Sequence, residues 1–442
     1  MSTFSSLGLK PSIIAVLDKL KFTVPTPIQE QAIPVAVTGK DVIGIAQTGT
    51  GKTLAFSLPM LQQLSVTKKQ GLVILPTREL AIQVEEAITK IGHSFGIRTA
   101  VLIGGASMFH QITSLKRGPH IIIGTPGRIN DHLEQKKLSL SNVGVLVLDE
   151  ADRMLDMGFA PQINEILRHV PKERQTMLFS ATMPPEIVSI ASKYMKTPVR
   201  IEVARAGSVS QQVDQELFLV SRDQKDRLLD KLLEEFKGTV LVFSRTKYGA
   251  KKICRAVKHM GHTAAEIHSN LSLSQRRRSL AGFKSGDYRV LVATDIAARG
   301  IDVTNIELVV NYDLPESADD YVHRVGRTGR AGLKGKAVTF ITPDQRYKIR
   351  AIERLVQTQL ILSPLPVLPK ARAVTSHNMF IEDDRHVGSG HRRATFKYAR
   401  PQSRGSRGPR QGGVRNASGF ARKSHSTTSR PGSSSRKPRV HL

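Results

Sequence analysis

The segment Ala46-Gln-Thr-Gly-Thr-Gly-Lys52-Thr53 combines residue types that can hold a polyphosphate. Backbone N–H groups around Gly49 and Gly51 can curl about phosphate oxygens, because glycine adopts the required dihedrals without steric penalty. Gln47, Thr48 and Thr50 complete the loop. A helix starting at its end adds a favourable dipole. Lys52 is then placed to reach the β- and γ-phosphates, and the Thr53 hydroxyl to ligate Mg2+. The strict pattern opens on glycine, and Ala46 stands there instead. A second segment, Asp149-Glu150-Ala151-Asp152, follows the apolar run Val143–Leu148. Asp149 is placed to hold Mg2+ through water, and Glu150 to orient or deprotonate an attacking water. An acidic helix start would explain the tetrapeptide alone. Beside a phosphate loop, it points to nucleotide hydrolysis.

These loops need strands to carry them. Short β-branched runs recur at Asp41–Ala46, Leu72–Leu75, His120–Gly124, Val143–Leu148 and Thr176–Ser180, with helical patterns such as Thr53–Leu64, Arg78–Ile91 and Ala160–His169 between them. A second series follows at Thr239–Ser244, Thr263–His268, Tyr288–Ala293, Glu307–Tyr312 and Lys336–Ile341. Alternating strands and helices predict parallel sheets, at whose C-terminal strand ends ligands bind. The fold class is therefore α/β, with one domain over 1–202, a polar linker over 203–212 and a second domain over 213–365. The proline-rich Ile361–Lys370 ends the second domain, and residues 366–442 form a basic tail.

Composition narrows the class. The chain has 442 residues and 40% hydrophobic residues, enough to build cores and to exclude wholesale disorder. Its formal net charge of +29 favours polyanionic partners, nucleic acid first. Residues 371–442 hold 16 Lys+Arg against 3 Asp+Glu and are rich in Gly and Ser. Such a segment buries too little apolar surface to offset ordering entropy, so the expectation is a disordered tail that tethers RNA without sequence preference. The single cysteine, Cys254, excludes an intramolecular disulfide framework and a zinc site built on several thiolates, and suits a reducing cytoplasmic location. Neither a signal peptide nor a membrane-length apolar run is evident.

The order of motifs resembles the DEAD-box ATP-dependent RNA helicases of superfamily two, with matches from Phe4 to about Thr342. The flanks DEADRMLDMGF and FKSGDYRVLVATDIAARG look most similar to the bacterial RhlE subgroup. The resemblance implies two tandem RecA-like domains, ATP and Mg2+ as ligands, RNA as partner, and ribosome-assembly or RNA-degradation factors as candidate protein partners. It implies that Phe22 stacks on adenine and Gln29 grips its edge. Lys21 stands where the family usually has glycine. It implies RNA contacts by Thr77, Arg78, Gly104-Gly105, Thr125 and Arg128 in the first domain and by Arg245 and Thr294 in the second. Gln275-Arg276 is similar to a motif that helps hold the RNA side. Ser180 and Thr182 would bond to the Asp152 region, and His323 would meet that side from the second domain. Asp302 would reach the ribose, and Arg327 and Arg330 the γ-phosphate. The catalytic set is then Lys52, Glu150, Arg327 and Arg330.

Neither domain holds all of these groups, so hydrolysis would require the domains to close. Three other functions were weighed: an RNA clamp or annealing factor timed by ATP, a DNA helicase of the same superfamily, and a basic structural adaptor.

Overall fold

The computed structural model describes residues 2–47, 49–203, 213–298, 303, 306–329, 334–356 and 358–370. Two seven-stranded parallel sheets form its frame. The first contains β1 (Val42–Ile45), β2 (Gln70–Ile74), β3 (Thr99–Leu102), β4 (Ile121–Gly124), β5 (Val143–Leu148), β6 (Gln175–Ser180) and β7 (Val199–Glu202), in the order β3-β4-β2-β5-β6-β1-β7. The second contains β8 (Val213–Leu219), β9 (Thr239–Phe243), β10 (Ala264–Ile267), β11 (Val290–Ala293), β12 (Ile306–Asn311), β13 (Gly335–Ile341) and β14 (Ile361–Ser363), in the order β10-β11-β9-β12-β13-β8-β14.

The helices around the first sheet are α1 (Pro11–Lys19), α2 (Pro27–Ala36), α3 (Lys52–Thr67), α4 (Arg78–Gly92), α5 (Met108–Lys116), α6 (Pro126–Glu134), α7 (Ala151–Asp156), α8 (Ala160–His169) and α9 (Pro185–Tyr194). Around the second are α10 (Lys225–Glu235), α11 (Lys247–His259), α12 (Leu273–Ser285), α13 (Asp295–Ala298), α14 (Ala318–Val325) and α15 (Ile349–Val356). Among the described residues, no helix is long and apolar enough to cross a membrane.

The central strands are apolar throughout because both sheet faces are covered. On β5, Val145 and Val147 join one core cluster while Leu146 and Leu148 join the cluster on the opposite face. On β9, Leu241 and Val242 divide in the same way. Phe4 is buried in the first domain's core, so packing accounts for it.

Two local features differ from the expectations. Lys21 adopts φ +62°, the left-handed conformation that the family's glycine would take, and Phe22 N–H bonds to Leu17 O while Lys21 N–H bonds to Asp18 O. These are the two hydrogen bonds of a Schellman cap, so the turn forms despite the side chain. The proline-rich exit is also more than a boundary. It supplies β14, and Arg227 Nε donates to Pro369 O at 2.7 Å, so the packed structure continues past residue 365. Residues 204–212 of the expected linker and the tail from 371 lie outside the described residues.

Candidate functional site

Strand order decides which loops meet. β5, β6 and β1 are neighbours, so the loops after them share one end of the sheet. The loop after β1 is closed by Gly49 at φ +83° and Gly51 at φ +92°, and α3 begins at Lys52. A Cβ on Gly51 would sit 2.4 Å from Gln29 Nε2. Gln29 is drawn into the loop itself: its Nε2 donates to Gly51 O at 3.0 Å, and its Oε1 accepts from Thr26 N at 2.9 Å. One amide N–H and one carbonyl lone pair are left for a base edge. Phe22 packs against the first domain's core and is half-buried. Thr50 Oγ1 donates to Gln47 O at 2.7 Å. Lys52 is buried, its Nζ donating to Ala46 O at 3.0 Å and lying 3.9 Å from Asp149 Oδ1. Thr53 follows on the first turn of α3. Thr48 lies outside the described residues.

Three carboxylates end up buried beside this loop, at 3% exposure for Asp149 and 4% each for Glu150 and Asp152. Glu150 has φ +52° and ψ +49°, a left-handed conformation that costs a non-glycine residue about 1–3 kcal/mol. Its N–H donates to Asp149 Oδ1 at 2.9 Å, and its Oε2 lies 3.5 Å from Arg153 Nη1. Burial pushes the Asp149 carboxyl up to about 6, against the opposing pull of the Lys52 ammonium. This crowding of buried negative charge fits a divalent cation. Asp149 and Thr53, the residue after Lys52, offer the oxygen donors suited to it, since Mg2+ favours a carboxylate, water and substrate phosphates over an all-protein cage.

Asp152 ties β5 to β6. Its Oδ2 accepts from Ala181 N at 3.0 Å, Thr182 N at 2.9 Å and Thr182 Oγ1 at 3.1 Å. Its own N–H donates to Ser180 Oγ at 3.2 Å. Three hydrogen bonds thus join Asp152 to Ser180 and Thr182, and a fourth joins it to Ala181.

The other half of the first sheet gathers the expected RNA-contacting residues. Thr77 caps α4, accepting from Leu80 N at 3.3 Å. The Arg78 guanidinium lies against the glycine pair: a Cβ on Gly105, which has φ +76°, would be 2.3 Å from Arg78 Nη1. Arg128 Nη1 donates to Ala106 O at 3.1 Å, and Thr125 N–H to Leu102 O at 3.0 Å. Arg78 and Arg128 thus tie the turns after β2, β3 and β4 together, and Arg128 Nε also pairs with Asp131 Oδ2 at 3.1 Å.

In the second domain, Arg245 N donates to Asp313 Oδ2 at 3.1 Å and Thr294 N to Ile267 O at 3.2 Å. Arg327 is buried, with its Nε donating to His323 O at 3.2 Å. His323, Asp319 and Gly326 line a small gap with Gln47, Ala181 and Thr182 of the first domain. Arg153 of the first domain lines an adjoining gap with His323 and Arg327. Burial, and then the negative charge of Asp152, raise the Asp319 carboxyl above its ordinary range. The two domains are also joined directly, because Arg276 Nη2 pairs with buried Glu79 Oε2 at 2.8 Å. Asp302 and Arg330 lie outside the described residues.

A DEAD/DEAH box helicase profile matches residues 26–190, and a helicase conserved C-terminal domain profile matches residues 224–332. The chain is 43% identical over 380 residues to the ATP-dependent rRNA helicase RRP3 of Scheffersomyces stipitis, covering 85% of this chain and 78% of that one. It is 45% identical over 375 residues to the DEAD-box ATP-dependent RNA helicase CshA of Bacillus cereus, covering 84% and 71%. The chain belongs to the DEAD-box RNA helicase family. Among solved structures, S. cerevisiae Dbp5 bound to RNA and ADP BeF3 superposes with a TM-score of 0.75 at 31% identity, over 83% of this chain and 96% of that one. A Dbp5 variant bound to Nup159, Gle1, IP6 and ADP superposes at 0.57, at 29% identity over 81% and 96%.

Several helicase residues escaped the sequence reading. Arg324 is 2% exposed and grips Asp295 through Nε at 2.5 Å and Nη2 at 2.7 Å. Its Nη1 donates to Asp313 O at 2.6 Å, and its guanidinium lies 5.0 Å from the Phe243 ring centre. It joins the loops after β9, β11 and β12. No local spacing marks Glu79, Arg153 or Asp319 as residues of the site. Gln275 takes a local role, accepting from Ser272 N at 2.9 Å in a capping box. That Ser-x-x-Gln spacing was readable in advance.

Proposed function

We propose that this DEAD-box helicase hydrolyses ATP in the cleft between its two domains and uses closure to strain bound RNA. The observation carrying this reading is the shared cleft: His323 and Arg327 of the second domain line gaps with Gln47, Thr182 and Arg153 of the first. The better superposition on Dbp5 with RNA and ADP BeF3 supports a closed arrangement.

In this mechanism Gln29 reads adenine and couples it to the Gly51 carbonyl, with Phe22 beside the base. The loop from Gln47 to Gly51 wraps the phosphates, and Lys52 leaves Ala46 O to meet them. Thr53 and Asp149 would hold Mg2+, which would supply neutralisation of phosphate charge. Glu150 takes the proton of the attacking water. Arg327 and Arg330 stabilise charge on the transferring phosphoryl group, and Asp302 holds the ribose. Thr77, Arg78, Gly105, Thr125, Arg128, Arg245 and Thr294 bind the RNA backbone. Ser180, Thr182 and Asp152 with His323 report closure to the hydrolytic groups. Because ATP and RNA both favour closure, each tightens binding of the other. A single strand tolerates the closed surface and a rigid duplex resists it, so a short duplex melts locally.

The similarity of its flanks supports the RhlE subgroup with ribosome-assembly or RNA-degradation partners, its charge supports RNA as ligand, and its single cysteine supports a cytoplasmic location. The arginine-rich residues 371–442 supply a non-specific RNA tether. ATP hydrolysis with and without single-stranded RNA tests the core of this reading. Stimulation by RNA, lost at least about 100-fold in Glu150→Gln while ATP still binds, is expected. Wild-type turnover in that variant would remove Glu150 from its role.

A further inference from the structure

Two of the most solvent-exposed aromatic rings lie beside the arginine-bearing turns of the proposed RNA side. Phe109 is 73% exposed and occupies the second position of α5, just after the Gly104-Gly105-Ala106 turn held by Arg78 and Arg128. Tyr248 is also 73% exposed and occupies the second position of α11, just after Arg245 and Thr246. A single exposed ring is ordinary. These two sit on different domains, and each adjoins arginines already suited to a phosphate backbone.

Each ring has one close neighbour. The Lys247 ammonium lies 5.3 Å from the Tyr248 ring centre and is itself held by Asn270 Oδ1 at 2.9 Å. The Phe109 ring meets the His110 ring edge-on, at 5.8 Å and 70°. Lys247 thus takes one face of Tyr248 and His110 adjoins Phe109, while most of each residue stays exposed to solvent. Phosphate contacts alone fix a strand's position and leave its bases in water. An aromatic face next to those contacts can stack a base of any identity, because every base has a π-face.

We propose that Phe109 and Tyr248 are stacking platforms for two bases of the bound single strand, one on each domain. This rests on the RNA-binding reading above and deepens it. Stacking adds affinity without adding sequence preference. It also selects against a duplex, whose bases are already stacked and paired.

The test walks one abasic site along a short fluorescent single-stranded RNA, bound in the presence of a non-hydrolysable ATP analogue. Wild-type protein should lose about fivefold or more in affinity when the abasic site falls at either of two positions. Phe109→Ala should weaken intact RNA by a similar factor and erase sensitivity at one position only. Tyr248→Ala should erase the other. Phe109→Tyr and Tyr248→Phe should keep both. Because the rings are exposed, melting temperatures report whether the alanine variants stay folded. Wild-type affinity indifferent to abasic sites, with intact RNA still bound, overturns the stacking proposal and leaves RNA binding standing. Failure of wild-type protein to bind any of these strands overturns the RNA-binding reading, and this proposal with it.

Discussion

The two domains meet the cleft with opposite chemistry. The first presents buried acids, Glu79, Asp149, Glu150 and Asp152, carried on strand ends and a helix start. The second presents buried arginines, Arg276, Arg324 and Arg327, carried on α12 and around the end of α14. Burying one sign of charge is expensive unless a partner or ligand compensates it. Within each domain the compensation is partial: Lys52 and Arg153 serve the acids, while Asp295 serves Arg324. Glu79 and Arg276 complete a pair across the domains. Closure is therefore an electrostatic event as well as a mechanical one.

The largest test of this contrast lies wholly inside the second domain. Arg324→Ala leaves Asp295 without its bidentate partner and removes the tie among three strand ends. Breaking such a pair costs about 3–5 kcal/mol, readable as a lower urea midpoint. A loss below about 1 kcal/mol would mean Arg324 is not what organises that edge.

The acidic side makes a different prediction. Burial holds the Asp149 carboxyl up to about 6 in the fold, against 3.8 for the ordinary group. The folded chain thus binds that proton more tightly than the unfolded chain. Asp149 subtracts stability above pH about 6, and the penalty fades as pH falls toward the ordinary value. Without nucleotide, Asp149→Asn should raise stability at pH 8 by up to about 3 kcal/mol, with the gain gone near pH 4. An equal gain in melting temperature at both pH values would detach it from this carboxyl.

Across the cleft, Glu79→Gln and Arg276→Gln should show a coupling of about 1 kcal/mol or more in a double-mutant cycle on RNA affinity measured with an ATP analogue. Without nucleotide, where the proposed mechanism has the domains apart, the coupling should approach zero. Coupling of the same size in both states would make the contact permanent rather than part of closure.

The smallest effect is a control away from the cleft. Lys21→Gly relieves a left-handed lysine in the cap of α1 and should stabilise the first domain by about 1 kcal/mol. A destabilised variant would show that the lysine side chain contributes something the turn geometry hides.

Much of the catalytic side was legible because its residues are contiguous. The phosphate loop and Asp149–Asp152 each sit within one strand-loop-helix step, where local pattern and chemistry coincide. The central strands were equally readable, since burial on both faces makes them apolar runs. β3 and β7 were missed because they are sheet edges, where two of four residues in β3 and only one of four in β7 are buried. β8 was missed because its sequence VDQELFL mixes charges into a strand whose partners come from distant parts of the chain. Arg324 was overlooked because its partners, Asp295 and Asp313, lie in other loops and no local spacing joins them.

The sequence by itself determined which groups this protein brings to a nucleotide, because glycine dihedrals, an ammonium and paired carboxylates act through local geometry. It also determined that two parallel sheets would carry them, because hydrophobic periodicity is a local property. Only the tertiary structure decided which strand ends are neighbours and which charges are buried. It alone showed that Gln29 holds the phosphate loop and that Glu79 pairs with Arg276, and it supplied the bonds from Asp152 to Ser180 and Thr182 that the resemblance implied. Those contacts join residues far apart in the chain, and they exist only once packing has paid the entropy of bringing them together.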